Sequence, residues 1–461
     1  MACSRSPLSI ISWSIVLSFS VLMRASAEIS ASSAALKANP IHKLFNPSWK
    51  QPRTRISCLS DNRGQHQEGE KRYLDVSVGG GLNQQRRGIA NAVVVAKIMN
   101  ATLIVPKLIV HPAWGDQSKF SEIFSVPHFV QTLKKDVEVI EDVPASLNFS
   151  SLERLASISL PSEALEPEWY IKNAFPVLQK YGLLVLNYFF MQLREDLPTP
   201  LQHLRCRAQY HALQFVSPIL SMGLQAVQKL QSSGPYVAVH LRYEPDWIVH
   251  TGCLYDEATN AYMKKWASER NIQFQSNVTE SELRKQAGLC PITPQETAYI
   301  LKALGVDSMT TIYIAGGAMN DGARLMRPLH RAFPRHIATK DDLLKNTVNE
   351  LVGRPSVLAA IDYIVCLHSD FFMMTAGGNM GMMLRGHRFY LGDFKETFQP
   401  YGPALVPALS GSRPNMTMLG DILAQQRIHK ALDPLNARRL LKFFDRPWEC
   451  VCEKSPDHST I

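Results

Sequence analysis

Three signatures of metal- or nucleotide-dependent enzymes are missing from this chain of 461 residues. No Asp-x-Asp triplet occurs, so the sequence lacks the carboxylate pair that often holds a divalent ion. The Walker pattern for phosphate binding is also missing. Cys450-Val-Cys452 lacks a second ligand pair at zinc spacing, which favours disulfide chemistry or a surface position for these cysteines.

Positive charge is concentrated near the N-terminus. The net charge is +9, and ten Lys and Arg against four Asp and Glu in residues 1–72 supply +6 of it. The rest of the chain has no Lys/Arg-rich patch interleaved with aromatic residues, so the sequence argues against a nucleic-acid partner. With 46% hydrophobic and 19% charged residues, a chain of this length can bury a sizeable core and predicts two domains.

The N-terminus indicates entry into the secretory pathway. Residues 6–23 are uncharged and lie between Arg5 and Arg24. As a helix they would span about 27 Å, slightly short of a bilayer core of about 30 Å. Because Ala25-Ser-Ala27 also offers a cleavage site, a cleaved signal peptide and an uncleaved signal anchor are both open.

Glycosylation motifs and cysteines agree with an oxidising lumen. The sequons begin at Asn100, Asn148, Asn277 and Asn415. Of eight cysteines, Cys3 precedes the apolar segment, so at least one of the remaining seven stays unpaired within the chain. Cys366, inside an apolar run, is predicted to be a buried free thiol, whereas Cys253 and Cys290 flank a polar insert that a disulfide between them would close.

Order is predicted to begin at Tyr73–Val78, after a flexible stem over 28–70. The strand pattern of Tyr73–Val78 is followed by three glycines, a helix over Leu82–Met99 and a strand over Thr102–Pro106, which together form a parallel βαβ unit. Gln84 replaces the third glycine of a dinucleotide fingerprint. The loop is therefore either a turn that approaches a ligand of unknown class or a tight turn without one.

The stretch Tyr236–Trp247 begins as a buried strand and then becomes charged. His240, Arg242, Glu244 and Asp246 alternate, so they point to one side if the strand continues. Open α/β sheets bind ligands at such strand ends, and the arginine fork matches a phosphate. The alternative is an ion pair of Arg242 with Glu244 or Asp246.

Further segments predict the remaining organisation. We expect a surface excursion over 256–290, a helix capped by Thr293 and Glu296, and an apolar run over 357–367 that ends in polar residues. Additional core elements are a strand over 187–191, a helix over 213–230 and a strand over 311–315. The loops 79–84, 240–246 and 368–379 are expected to converge on one cleft.

Five motifs in this order resemble the plant-type GDP-fucose O-fucosyltransferase family. They are Gly80–Ile89, Asn100–Pro106, His240–Glu244, Cys290–Pro294, and Ser369-Asp370 with Gly378-Asn379. The likeness covers about residues 72–400. It implies a GT-B fold, in which two Rossmann-like domains face each other across a cleft, and metal-independent use of GDP-fucose.

The resemblance also implies a domain plan and site residues. Residues 1–27 would be a cytosolic tail and anchor, 71–232 the acceptor-side domain, 233–400 the donor-binding domain, and 401–461 an extension packed on the body. Catalytic roles fall to Arg242, which matches the arginine at the donor's β-phosphate, and to Asn83 near the reacting centre. Donor contacts fall to Gly81, His240, Leu241, Arg242, Ser369 and Asp370.

The function implied is an inverting transfer of fucose from GDP-fucose to a hydroxyl of a lumenal glycan or protein. Most family members are type II Golgi proteins, which favours a membrane anchor, with a soluble lumenal enzyme as the alternative. Asn91, Gln85 and the segment Phe371–Gly378 depart from the commoner family pattern, the last in a way that bears on acceptor choice. Glu244 is a candidate general base. Rival functions are transfer of rhamnose from a UDP-linked donor to pectin and non-catalytic carbohydrate binding.

Overall fold

Two parallel β-sheets flanked by helices organise the computed structural model of this chain. The structure describes residues 55–57, 59, 71–111, 114–145, 154–317, 319, 322–392, 395–410, 413–432 and 443–453. The apolar segment 6–23, most of the predicted stem and the sequon at Asn148 lie outside these ranges. No helix within the described ranges is long and apolar enough to cross a membrane.

The strands are short and rich in Val, Ile, Leu and Phe. In chain order they are β1 (Arg55–Ser57), β2 (Tyr73–Val78), β3 (Thr102–Ile104), β4 (Lys107–Leu108), β5 (Val139–Ile140), β6 (Ser157–Ile158), β7 (Leu183–Phe189), β8 (Tyr236–His240), β9 (Thr311–Ala315), β10 (Ile337–Ala338), β11 (Phe371–Met374), β12 (Glu396–Phe398) and β13 (Val451–Glu453).

The first sheet has the order β5-β3-β2-β7-β6, with β4 also paired to β2, and the second has the order β10-β9-β8-β11-β12. Every pairing in both sheets is parallel. Parallel sheets are covered on both faces by crossover helices, which is why β8, β9 and β11 are buried at every position. The α/β class expected from the sequence is confirmed.

The helices fill the connections. They are α1 (Leu82–Ile98), α2 (Phe120–Ile123), α3 (Val126–Leu133), α4 (Pro167–Trp169), α5 (Phe175–Tyr181), α6 (Thr199–Arg207), α7 (Ser217–Gln231), α8 (Pro245–Thr251), α9 (Glu257–Ser268), α10 (Val278–Gln286), α11 (Pro294–Ala303), α12 (Gly322–Ala332), α13 (Lys340–Leu344), α14 (Asn346–Asn349), α15 (Pro355–His368), α16 (Asn379–Tyr390), α17 (Gly402–Leu409) and α18 (Met416–Leu432). Two π-helical segments, Tyr170–Ala174 and Ala208–Ala212, and a 3₁₀ turn at Trp448–Cys450 complete the set in the described part of the chain.

Most of the predicted elements form within a few residues of their expected bounds. The first βαβ unit is confirmed, with α1 ending at Ile98 and β3 at Ile104. Thr293 and Glu296 form the predicted capping box, in which Thr293 Oγ1 accepts from Glu296 N at 3.1 Å. The strand expected at 187–191 instead covers Leu183–Phe189.

Two segments are more ordered than the sequence predicted. Arg55–Ser57, inside the predicted flexible stem, pairs antiparallel with Val451–Glu453. The expectation of no structure there is wrong because the pairing partner lies at the other end of the chain. The polar excursion 256–290 contains helices α9 and α10, since Asp256 and Asn277 cap their N-termini.

The cysteines behave largely as expected. Cys253 and Cys290 form a disulfide, and Cys366 is a buried free thiol. Cys450 forms a second disulfide with Cys206, which ties the C-terminal residues to the first half of the chain. Spacing along the sequence gave no signal for this pair because 244 residues separate its members.

The two halves contact each other directly. Gly223 on α7 lies so close to α15 that a Cβ built there would be 2.6 Å from Ile364 Cδ1, so glycine permits the helix contact. Asp116, in the first half, accepts from the backbone N–H of Ser356 at 2.5 Å. These contacts join α7 to α15 and the segment around Asp116 to the start of α15.

Candidate active site

Polar groups gather where β8, β9 and β11 end. Because the strands are parallel and in register, His240, Ala315 and Met374 lie side by side at the carboxyl edge of the second sheet. Arg242 follows β8, two glycines follow β9 and Thr375 follows β11. Ligands of open α/β folds bind at this edge.

Arg242 is held by two carboxylates. Nη1 donates to Glu244 Oε2 at 2.8 Å and to Asp246 Oδ1 at 2.9 Å, and Nη2 donates to Asp246 Oδ2 at 2.7 Å. The expected strand continuation is wrong: β8 stops at His240, and Glu244 and Asp246 belong to the start of α8. The ion pair considered as the alternative interpretation is present, with Arg242 bonded to both acids.

The carboxylates occupy only part of the guanidinium. Arginine has five N–H groups, and the hydrogen bonds to Asp246 and Glu244 use three of them. The Nε–H and the second Nη2–H form the remaining edge of the fork, and neither makes a hydrogen bond within the described part of the chain. Burial alone would lower the pKa of Arg242, but hydrogen bonds to Asp246 and the nearby carboxylate charges raise it. The group is therefore a permanent cation with one bidentate edge open.

The backbone around Arg242 is fixed by β11 and β9. Arg242 N donates to Thr375 Oγ1 at 3.0 Å, and Thr375 N donates to His240 O at 3.1 Å. Gly317 N donates to Glu244 Oε1 at 3.1 Å, so both oxygens of Glu244 accept hydrogen bonds. These contacts hold the end of β8 rigidly.

The first half contributes the glycine loop after β2. Gly80 has φ +83°, which favours glycine, and Gly81 lies against the indole of Trp114, where a Cβ would be 2.9 Å from the ring. Gly81 N donates to Gln84 Oε1 at 2.8 Å, so its amide is already bonded. Trp114 stacks on His111 at 4.0 Å between ring centroids.

His111 connects the glycine loop to the Arg242 cluster. Burial lowers the pKa of His111, while the negative charge of Asp246 acts in the opposite direction. The negative charge of Asp246 therefore acts on the imidazole that stacks on Trp114 beside the glycine loop. The convergence of the loops 79–84 and 240–246 on one cleft stays a prediction.

Asn83 lies in the first turn of α1 and is 6% exposed. Its Oδ1 accepts from Arg86 Nη1 at 3.4 Å, a long contact. The glycine loop places Asn83 at the cleft end of α1, because the helix starts immediately after the turn. The side-chain amide retains donors for a second partner.

His240 and Leu241 differ in the side-chain groups that a ligand could contact. Burial lowers the pKa of His240, and its Nδ1 has no hydrogen-bond partner. The side chain of Leu241 is 2% exposed and packs in the core, and its backbone N–H donates to Ala315 O at 3.0 Å. His240 therefore offers a neutral ring to a ligand, whereas Leu241 offers no free side chain.

A cavity of about 610 Å³ opens beside His240 between the ends of β8 and β9. Its wall includes a buried ion pair in which Lys340 Nζ lies 2.9 Å from Asp362 Oδ2. Tyr313 Oη also donates to Asp362, at 2.6 Å, and Gly316 N donates to it at 3.2 Å. Neither Lys340 nor Asp362 stood out in the sequence, because Asp362 lies within the apolar run 357–367 and Lys340 lies in a polar segment typical of a surface loop.

Ser369 and Asp370 do not join this cleft. Asp370 Oδ2 accepts from the backbone N–H of Tyr236, the first residue of β8, at 3.0 Å. The last residue of β8, His240, is about 13 Å from Tyr236 along the strand, and Arg242 lies two residues beyond it. The apolar run 357–367 is helix α15, which returns the chain to the amino edge of the sheet before β11 begins. The expectation that residues 368–370 reach the cleft is wrong, and Thr375 occupies the position instead.

No group of three or more His, Cys, Asp or Glu side chains suited to holding a metal ion occurs among the described residues. Three of the four sequons can be located. Asn100, Asn277 and Asn415 are exposed, and Asn277 and Asn415 cap α10 and α18 through Oδ1. Their Nδ2 atoms, to which a glycan would be attached, are not used in capping.

Comparisons with known proteins bear on this site. Residues 73–391 match the family model described as GDP-fucose protein O-fucosyltransferase. Over 348 residues the chain is 40% identical to O-fucosyltransferase 37 of Arabidopsis thaliana, covering 74% of this chain and 61% of that protein. It is 38% identical to Rhamnogalacturonan I rhamnosyltransferase 1 of the same plant over 337 residues, 71% of this chain and 65% of that one. The chain thus spans less than two thirds of either relative.

A solved structure of POFUT1 in complex with GDP covers 72% of this chain and 99% of its own, with a TM-score of 0.41 and 14% identity.

Proposed function

The chain belongs to the GDP-fucose protein O-fucosyltransferase family, and from this premise we propose that it transfers fucose from GDP-fucose to a hydroxyl of a lumenal glycan or protein, with inversion at the sugar carbon. The observation that carries the proposal is the open edge of Arg242 at the carboxyl end of β8. A bidentate N–H pair at that edge matches two oxygens of a diphosphate.

The chemistry follows from the leaving group. As the bond between sugar and diphosphate stretches, negative charge grows on the leaving oxygen. A guanidinium that Asp246 and Glu244 already orient stabilises this charge without reorganising at the moment of reaction. When no donor is bound, the same carboxylates hold Arg242 in place, so that it does not turn toward other hydrogen-bond acceptors.

Glu244 is a poor general base in this arrangement. Both of its oxygens accept hydrogen bonds, from Arg242 and Gly317. A base must have a lone pair aimed at the acceptor hydroxyl. We assign Glu244 a positioning role and give Asn83 the task of orienting the acceptor. Transfer then depends more on stabilising the leaving group than on removing a proton.

The proposed donor site extends from Arg242 into the cavity beside His240. Its volume of about 610 Å³ is within the range of nucleotide-sized pockets. The neutral ring of His240 lines this cavity, and the buried Lys340–Asp362 pair shapes its wall. In this assignment the nucleoside end lies beside that wall rather than at Ser369 and Asp370.

The two sheets support a GT-B arrangement in this proposal. Residues 71–232 form the acceptor side and 233–400 the donor side, with 401–461 as the extension, and the glycine loop faces Arg242 across the cleft. Donor binding is taken to need no metal, because Arg242 supplies the cation that a divalent ion would otherwise provide. The extension returns to the first half through the Cys206–Cys450 disulfide.

We place the protein in the Golgi membrane as a single-pass type II protein, with 1–27 as tail and anchor, 28–70 as stem and a glycosylated lumenal body. Two disulfides and three exposed sequons among the described residues support an oxidising lumen. N-terminal sequencing of the protein from its native membranes tests this: an intact N-terminus is expected, whereas a mature chain starting at Glu28 would mean a soluble lumenal enzyme.

A rhamnosyltransferase is the second candidate, because a relative of that name is 38% identical over 71% of the chain. Purified protein should be given GDP-fucose and UDP-rhamnose in parallel, with an array of glycan and peptide acceptors, and sugar transfer and donor hydrolysis should be measured. Turnover of GDP-fucose alone is expected. Turnover of UDP-rhamnose alone would replace the proposal, and binding of a glycan without turnover of either donor would establish a non-catalytic protein.

A further inference from the structure

A second cavity lies behind the cleft, where the two halves of the chain meet. Its volume is about 420 Å³, and it shares no lining residue with the cavity beside His240. Its walls come from α3 and the segment 208–215 on one side and from α7, α15 and α16 on the other. It opens to solvent beside the exposed His211.

A buried cation lines this cavity. Arg86 is 1% exposed, and its guanidinium carbon lies 4.2 Å from the ring centroid of Tyr363 and 5.4 Å from that of Phe215. Nη1 makes a long contact with Asn83 at 3.4 Å, and the side chain also hydrogen-bonds to Tyr363. Within the described ranges, Nε has no hydrogen-bond partner and no carboxylate pairs with Arg86. An unpaired buried charge is costly unless something compensates it.

The rest of the cavity wall carries no negative charge. No Asp or Glu is among its lining residues. Burial, reinforced by the charge of Arg86, lowers the pKa of His387 to about 3, so this ring is neutral at physiological pH. Asp445, whose charge acts on Tyr210, is already bonded to Arg385 at 2.8 Å. Among the described residues, the positive charge of Arg86 therefore has no carboxylate counter-ion at the cavity.

A buried hydroxyl accompanies the cation. Tyr210 Oη has no hydrogen-bond partner in the described part of the chain, and burial raises the pKa of Tyr210, so it stays a protonated donor. Apolar side chains complete the wall, among them Phe215, Leu220 and Ile364. A cation, a free hydroxyl donor and an apolar surface in one enclosed space suit a ligand with one negative charge and a flat hydrocarbon body.

We propose that this cavity binds a compact aromatic or aliphatic monocarboxylate, whose oxygens accept hydrogen bonds from Arg86 and Tyr210 while its apolar body packs on Phe215, Leu220 and Ile364. Water could satisfy Tyr210 but cannot neutralise Arg86. The site is separate from the sugar-nucleotide cleft, and the contact of Arg86 with Asn83 places it directly behind that cleft. The inference does not depend on the proposed transfer reaction.

Calorimetric titration of the purified full-length chain tests the proposal, with 2-naphthoate as the probe and its neutral isostere 2-naphthamide as the comparison. A charge-assisted hydrogen bond predicts at least about a tenfold lower dissociation constant for the acid. Leu220→Trp, which fills the cavity, should abolish binding. Leu224→Trp, one turn along α7 at a side chain that is 42% exposed, should leave it unchanged.

Arg86→Met should remove the preference for the acid over the amide. If that variant does not fold, the Leu220 and Leu224 pair still decides the question. Absence of heat with 2-naphthoate, equal affinity for the amide in the wild type, or undiminished binding by Leu220→Trp would each overturn the proposal and leave a hydrated cavity or non-specific apolar binding.

Discussion

Asp246 binds both terminal nitrogens of Arg242, with 2.9 Å from Nη1 to Oδ1 and 2.7 Å from Nη2 to Oδ2. This end-on contact fixes the plane of the guanidinium and leaves its other edge, Nε and Nη2, without a hydrogen-bond partner among the described residues. The ion pair and the proposed phosphate contact therefore use different edges of one side chain. The presence of the pair is compatible with a catalytic role.

Replacing Arg242 should reduce turnover without unfolding the protein. Arg242→Lys keeps the charge but loses the bidentate edge, and Arg242→Ala loses both. We expect kcat to fall about 10² to 10³-fold, equivalent to roughly 3 to 4 kcal/mol, with donor affinity changed much less. Arg324→Ala, which breaks an exposed ion pair with Asp256, is the matched control. If purified Arg242→Ala turns over the donor at the wild-type rate, the role of Arg242 and its two carboxylates is structural.

Asp246→Asn tests whether the guanidinium of Arg242 needs the carboxylate of Asp246 to keep its orientation. Asparagine offers one acceptor in place of two, so the guanidinium gains rotational freedom. We expect kcat to fall about tenfold, the scale of one charge-assisted hydrogen bond. Asp256→Asn, at an exposed carboxylate, serves as the comparison. Equal activities of the two variants would contradict a positioning role for Asp246.

Glu244→Gln distinguishes positioning from general-base catalysis. Glutamine can still accept from Arg242 or Gly317 through one oxygen, so the positioning role predicts that at least about a tenth of turnover survives. Loss of a general base typically costs 10² to 10⁴-fold. A decrease of that size, with donor binding by calorimetry preserved, would identify Glu244 as the base.

The Lys340–Asp362 pair should matter for stability as well as for the donor pocket. Their side chains are 8% and 5% exposed, so Asp362→Asn leaves a buried ammonium without its counter-charge. We expect a loss of about 3 to 5 kcal/mol in the free energy of unfolding, measured by urea denaturation. Combining it with Lys340→Met should restore part of the loss. A loss below about 1 kcal/mol, as at an exposed pair, would refute the buried-charge account.

Acid should destabilise the fold through two buried histidines. Burial lowers the pKa values of His240 and His387, the latter to about 3. Below about pH 6.5, the ordinary pKa of histidine, these side chains bind protons in the unfolded chain but stay neutral in the folded chain. The free energy of unfolding therefore falls as pH falls from about 6.5 toward 3. His387→Gln should reduce the slope of unfolding free energy against pH in that window, by up to the slope that the uptake of one proton produces. An unchanged slope would mean that His387 titrates normally.

Much of the fold was accessible from sequence because it depends on local patterns. The alternation at Tyr73–Val78, the glycine loop before α1 and the capping box at Thr293 all specify nearby backbone, and each formed. The Cys253–Cys290 disulfide and the buried Cys366 also followed from their neighbours. Element ends were less accurate, since tertiary contacts decide where a strand stops.

The sequence alone determined that Arg242 follows a buried strand with acids beside it, because strand propensity and charge lie within a dozen consecutive residues. Only the tertiary structure decided which loops join it. The register of β11 against β8 brings Thr375 to Arg242 and leaves Asp370 at Tyr236, on the opposite edge. Likewise, the pairing of β1 with β13 and the disulfide between Cys206 and Cys450 join residues hundreds of positions apart. Such contacts depend on how helices and strands pack together, which no local pattern of residues encodes.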